Sequence, residues 1–190
     1  MTLTPPSATE RPVWTTPLTW CVVIAAAMLL AVATLREPGV LGRLPDAVGQ
    51  TLGNKPSAIA PGDTRFLALV TFHRDQRKAA DSWISGLQLH QDRSISWVRM
   101  PVLNDPGDAA QREAFERRLM ARYTSDQERQ HLVPVITDRA AFVRSVGLGG
   151  TGSAYVLVIN RNGEVLARIA GEFDQAKADT LRDTLFMREL

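Results

Sequence analysis

The sequence is almost without sulfur nucleophiles. Cysteine occurs once, as Cys21, inside an apolar run. A single thiol excludes an intramolecular disulfide, a dithiol redox motif and a zinc site built on cysteines. Residues 22–190 contain none, which suits a reducing and an oxidising compartment equally. Histidine is also scarce: His73, His90 and His131 stand at no ligand spacing. A metal centre needs at least three converging ligands, so neither a metal nor a cofactor is expected. Charge of one sign is missing as well. The 22 Lys and Arg are set against 20 Asp and Glu, for a formal net charge of +2. The arginines are interleaved with acids, without the basic cluster or aromatic–basic motif of a nucleic-acid binder. Nucleic acid is therefore not an expected partner.

What is present begins with one long apolar run. Residues 18–35 read LTWCVVIAAAMLLAVATL, carry no charge and are bracketed by Pro17 and Pro38. As a helix this run would be about 27 Å long, close to the ~30 Å hydrocarbon thickness of a bilayer. Trp14 and Trp20 stand where interfacial aromatics belong. No polar face marks the run as a surface helix of a globular core. Residues 1–17 are then a polar tail, and 18–35 is either an uncleaved membrane anchor or a signal segment. Ala31-Val-Ala33 supplies a small-x-small cleavage pattern for the second reading. Flanking charge, with Arg11 and the free amine before the run and Arg36, Arg43 and Lys55 after it, slightly favours a cytoplasmic C-terminal side. The layout of polar tail, single span and following domain favours export. The location adopted is the bacterial inner membrane with the domain in the periplasm; orientation and cleavage stay open. Residues 36–62, rich in Gly and Pro, read as a linker, with packing contacts expected from some of Val40, Leu41, Leu44, Val48 and Leu52.

Residues 63–190 read as one folded domain. The continuous apolar run at 65–72 predicts a strand buried on both faces. A helix over 75–89 follows, with Ala80, Ile84 and Leu87 on one face, Trp83 at its border and Asp75 as its cap. A strand at 96–102, a helix at 109–124 capped by Asp108, a strand at 132–137 and a helix at 138–146 come next. Asp138 caps this last helix and Gly147 ends it. Strands at 155–160 and 165–170 flank Arg161-Asn-Gly163, an Asn-Gly hairpin, and a helix over 173–190 closes the chain. The order β-α-β-α-β-α-β-β-α predicts an α/β class, with helices on both faces of a mixed sheet.

On these residues the sequence resembles the thioredoxin-like superfamily over about 63–190. The likeness rests on FLALVTF, the charged loop and the helix ending in Asp81-Ser-Trp83, and on the later block VGLGGTGSAYVLVINRNGEVLARIAG. It implies a three-layer sandwich with a C-terminal antiparallel hairpin. Two departures stand out. The loop that carries the family's thiols reads FHRDQRK, without sulfur, and the family's cis-proline is replaced by Ser153-Ala154. The pattern of strand, F-x-R-D-Q and helix with D-x-W resembles the cysteine-less bacterial relatives of the mitochondrial ATP synthase assembly factor. That resemblance implies contact work on a membrane complex in place of electron exchange.

The candidate partner-binding residues are His73, Arg74, Asp75, Arg77 and Trp83, with Gly150 and Ser153 from the neighbouring glycine loop. Arg74 and Arg77, at a helix start, would suit an anion; the commoner reading is a cap at Asp75 with solvated basic neighbours. Trp83 is more often core than ligand stacker. The glycines of 147–152 lack the lysine of a phosphate loop and precede a strand, not a helix. No catalytic residue can be placed by spacing. The expected protein is a membrane-tethered, non-catalytic module that binds another, membrane-associated protein as an assembly factor or chaperone. The alternatives are a thiol-independent enzyme on the same fold, or a structural subunit of an envelope complex.

Overall fold

Apolar side chains at consecutive positions of a strand face opposite ways, so they need cover on both sides. The run RFLALVT meets that demand as β2 (Arg65–Thr71), at the centre of a six-stranded mixed sheet. The computed structural model describes residues 39–46, 48 and 64–187. The apolar run 18–35, with its anchor and signal readings, lies outside the described residues. No helix among the described residues is long and apolar enough to cross a membrane. The other elements, in chain order, are β1 (Gly42–Arg43), α1 (Arg77–Gly86), β3 (Trp97–Asn104), α2 (Ala109–Met120), α3 (Asp126–Gln130), β4 (Val135–Thr137), α4 (Arg139–Val146), β5 (Tyr155–Asn160), β6 (Glu164–Ala170) and α5 (Gln175–Phe186).

The strand order is β1-β6-β5-β2-β3-β4. β2 pairs in parallel with β3 and antiparallel with β5; β3 and β4 are parallel, and β5 and β6 form an antiparallel hairpin. Alternation divides the buried side chains between two faces. Phe66, Ala68, Val70, Val98, Met100, Leu157 and Ile159 pack with Phe142 and Val146 of α4. Leu67, Leu69, Trp97, Val156 and Val158 pack with Ala80, Trp83 and Ile84 of α1 and with Ala178, Leu181 and Leu185 of α5. The mixed α/β sheet expected from the sequence is thus observed.

Most element ends follow local chemistry. Asp138 accepts from the amides of Ala140 (2.8 Å) and Ala141 (3.1 Å) to start α4, and Gly147 ends it at φ 73°. Asp108 and Asp174 cap α2 and α5 in the same way. In the hairpin turn Gly163 takes φ 76°, and Asn160 Oδ1 accepts from the amides of Asn162 and Glu164. Several boundaries differ from expectation: the strand expected at 132–137 begins at Val135, the strand expected at 96–102 runs on to Asn104, and the closing helix begins at Gln175. α1 begins two residues later than Asp75 and ends before Gln88, whose φ of 54° breaks the helical path. The helix expected over 109–124 stops at Met120. Ser125 then caps a separate short helix, α3, accepting from Glu128 N at 3.1 Å.

The expected linker also contributes structure. Gly42 and Arg43 pair antiparallel with Val165 and Glu164, and Leu44 and Val48 are buried. Gly42 is glycine for a steric reason. A Cβ there would lie 2.5 Å from the Val146 carbonyl carbon, so only glycine lets β1 lie against the end of α4.

Beside β3, the His131 ring stacks on Trp97 with centroids 4.0 Å apart, and its Nδ1 lies 2.9 Å from Trp97 O. That geometry places the proton on Nδ1 and leaves Nε2 to titrate. Burial lowers the His131 pKa from 6.5; the Trp97 carbonyl opposes this and His90 adds to it. The unfolded chain therefore takes up a proton first as pH falls through 6.5, and the folded state loses stability in that range. Denaturant unfolding across pH should show this decline in the wild-type chain. It should be flatter in His131→Phe, which keeps the stack and removes the titration.

Candidate functional site

The chain leaves β2 into the loop 72–76, and one side chain holds that loop. Gln76 is buried, at 7% exposure. Its Oε1 accepts from Phe72 N at 2.8 Å and His73 N at 3.3 Å, and its Nε2 donates to Thr151 O at 2.7 Å. One amide thus shapes the loop internally and ties it to the glycine loop 75 residues later in the chain. Phe72 turns inward and meets Phe142 and Tyr155 edge to face.

On the other side of this loop a cleft of about 620 Å³ opens between the ends of β2 and β3 and the helix α2. That volume falls within the usual range of ligand-binding clefts. Its buried lining is apolar, from Phe72, Pro101, Val102 and Leu119, with half-buried Leu103 and Phe115. Its polar lining includes five arginines, Arg74, Arg77, Arg118, Arg122 and Arg139, together with His73; among the described residues no Asp or Glu lines it. Phe115, Arg118, Leu119 and Arg122 recur at three- and four-residue spacing, so one stripe of α2 and its following turn faces the cleft. The acids of α2 lie off that stripe; Glu113 faces Arg117 across 3.9 Å.

The arginines are not equivalent. Arg77 lies over the Tyr123 ring at 5.0 Å and pairs with Asp81 (3.7 Å) and Glu128 (3.6 Å). Arg99, buried on β3, reaches the same ring at 5.6 Å and holds Asp81 at 2.6 Å. Tyr123 thus meets the guanidinium groups of two residues, one on α1 and one on β3, which fastens the end of α2 to both elements. Arg139 donates from Nε to Val102 O at 3.1 Å. Arg74, Arg118 and Arg122 make no side-chain hydrogen bond or ion pair among the described residues. Three cations at the cleft are thus left to solvent.

The structure brings some of the sequence candidates together and separates others. His73, Arg74 and Arg77 line the cleft. Asp75 is exposed, and its Oδ1 accepts from Gln76 N at 3.0 Å without capping the helix; the position preceding α1 belongs to Gln76. Trp83 is fully buried, donates its indole N–H to Gly171 O at 2.9 Å and meets Phe173 edge to face. It supports α1 from inside and offers no surface to a partner, because its position falls on the apolar face of the helix. Gly150 and Ser153 lie in the glycine loop outside the cleft lining, joined to the first loop through Gln76 and Thr151. Sequence reasoning missed Gln76, Phe115, Arg118, Arg122, Tyr123 and Arg139 as site residues. Among the described residues no cluster of His, Asp or Glu is placed to hold a metal ion.

Replacing Gln76 by Ala strands two loop amides and the Thr151 carbonyl. The expected cost is about 1–3 kcal/mol. Hydrogen exchange should quicken at Phe72 and His73 before it does in β2. Exchange mass spectrometry with denaturant unfolding reads both effects.

Comparison of the chain with protein-family models, with curated proteins and with solved structures finds no match.

Proposed function

We propose that residues 63–190 form a thioredoxin-like module that binds another protein without electron exchange. In this reading residues 18–35 tether it to the bacterial inner membrane with the module in the periplasm, and it serves as an assembly factor or chaperone for a membrane complex. The fold part of the reading draws support from the parallel unit β2-α1-β3, followed by the antiparallel hairpin β5-β6 and the closing helix α5. That is the arrangement the family resemblance implies.

The observation that carries the functional part is the loop between β2 and α1. Where the family places thiols, this chain has His73, Arg74 and Arg77 at the wall of an open cleft with an apolar floor. Such a surface recognises by contact: an apolar anchor gives affinity and the charged margin gives register and selectivity. A tether raises the effective concentration of a partner in the same membrane, so modest intrinsic affinity suffices.

The test is co-purification of the full-length protein from native membranes. Wild-type protein should bring a partner, and Arg74→Glu with Arg77→Glu should lose it. Arg77→Glu also sets like charges beside Asp81 and Glu128. Arg74→Glu alone is therefore the cleaner variant, and it should weaken recovery by itself while thermal unfolding stays unchanged. Equal recovery with both variants would remove this surface from the reading.

A further inference from the structure

We infer that the cleft between α2 and the loop 72–77 is a docking groove for an acidic segment of a protein partner, with an apolar side chain of that segment seated on the floor. The inference rests on the protein-binding reading and names the chemistry of the bound segment.

Charge complementarity is the first argument. Five arginines and a histidine line the groove, and among the described residues no carboxylate does. The chain as a whole is nearly balanced, with 22 basic against 20 acidic side chains, so this segregation is a property of the site and not of the composition. The acids close by are turned to other work. Asp81 pairs with Arg77 and Arg99, Glu128 pairs with Arg77, Asp75 accepts from Gln76 N, and Asp105 is held by both Arg112 Nε (2.7 Å) and Nη2 (2.8 Å). Arg74, Arg118 and Arg122 remain without a protein acceptor among the described residues.

The shape of the polar groups separates a polypeptide from a compact phosphate. A phosphate is held by convergent backbone amides at a loop and helix start. Here the amides of Phe72 and His73 are occupied by Gln76 Oε1, Gln76 N by Asp75 Oδ1 and Arg77 N by Arg74 O, so four of the amides at this helix start already have acceptors. The side-chain cations come from three separate segments, spread around an apolar floor of Phe72, Val102, Leu103, Phe115 and Leu119. Distributed carboxylates flanking a hydrophobic residue match that pattern; a single dense anion does not.

The test uses the full-length protein, a short fluorescein-labelled peptide alternating Glu with Leu, its Lys–Leu counterpart, and tripolyphosphate. Anisotropy should show binding of the acidic peptide, weakening as salt rises, and no binding of the basic one. Arg118→Glu with Arg122→Glu should weaken the acidic peptide by about tenfold or more, and Arg118→Lys with Arg122→Lys should largely restore it. Both side chains are exposed, and reversing Arg118 in the last turn of α2 costs only a surface charge's weak interaction with the helix dipole, so each variant should unfold in a transition close to that of the wild type. Absence of acidic-peptide binding, or equal binding by the charge-reversed protein, overturns the inference. So does displacement of the peptide by tripolyphosphate at matched charge and ionic strength, which would mark a small-anion site. A membrane co-purification that keeps its partner with Arg118→Glu and Arg122→Glu but loses it with Arg74→Glu would sink the acidic groove alone and leave protein binding standing.

Discussion

Strand β2 has no free side. It is paired along both edges, to β3 and to β5, and Phe66 to Val70 are buried on both faces. Burying each of its large apolar side chains contributes about 1.5–3 kcal/mol. The same placement constrains everything at its C-terminal end. A central strand delivers its following loop to the middle of a sheet edge, between the elements that cover the two faces. The loop 72–76 starts there because β2 ends there, and the cleft exists because α2 leaves a gap over the ends of β2 and β3.

The loop is then shaped by polar satisfaction. Its backbone turns away from the sheet and gives up ladder partners, and buried amides need replacements. Gln76 replaces two of them and spends its remaining amide group on Thr151. The loop is thus built from inside, which frees its basic side chains to face outward. The contacts of Arg77 and Arg99 with the Tyr123 ring work similarly at the end of α2. Arg99, at 6% exposure, is stabilised by the Asp81 carboxylate and the ring face, since a buried guanidinium without such partners would be strongly unfavourable. Arg99, which lies outside the cleft lining, is therefore structural, while Arg74, Arg118 and Arg122 face the cleft without a side-chain acceptor among the described residues.

Much of the fold was legible because local signals agreed. FLALV signalled a strand covered on both faces, Asp138 and Gly147 bounded α4, and Asn162-Gly163 signalled a hairpin turn. Other features were hidden for identifiable reasons. Asp75 has the residue type of a cap, but its carboxylate meets Gln76 N next to it, and the competing role of Gln76 depends on Thr151, far along the chain. Gly42 lies in a Gly- and Pro-rich stretch that reads as linker. Its requirement for the smallest residue arises only from the approach of Val146. Of the site, His73, Arg74 and Arg77 were legible from their place after the strand. Phe115, Arg118, Leu119 and Arg122 carry a helical spacing, yet spacing alone does not tell which stripe of an exposed helix faces a cleft.

The sequence by itself determined the α/β class, the central strand, most of the element order and the absence of dithiol chemistry, because periodicity, capping residues and cysteine number are local or countable. Tertiary structure alone decided that Trp83 is core, that Gly42 and Arg43 belong to the sheet, and that arginines from three distant segments share one cleft. The physical reason is that charge segregation is a spatial property: a chain with interleaved signs places like charges together only when its folding brings their elements to one edge.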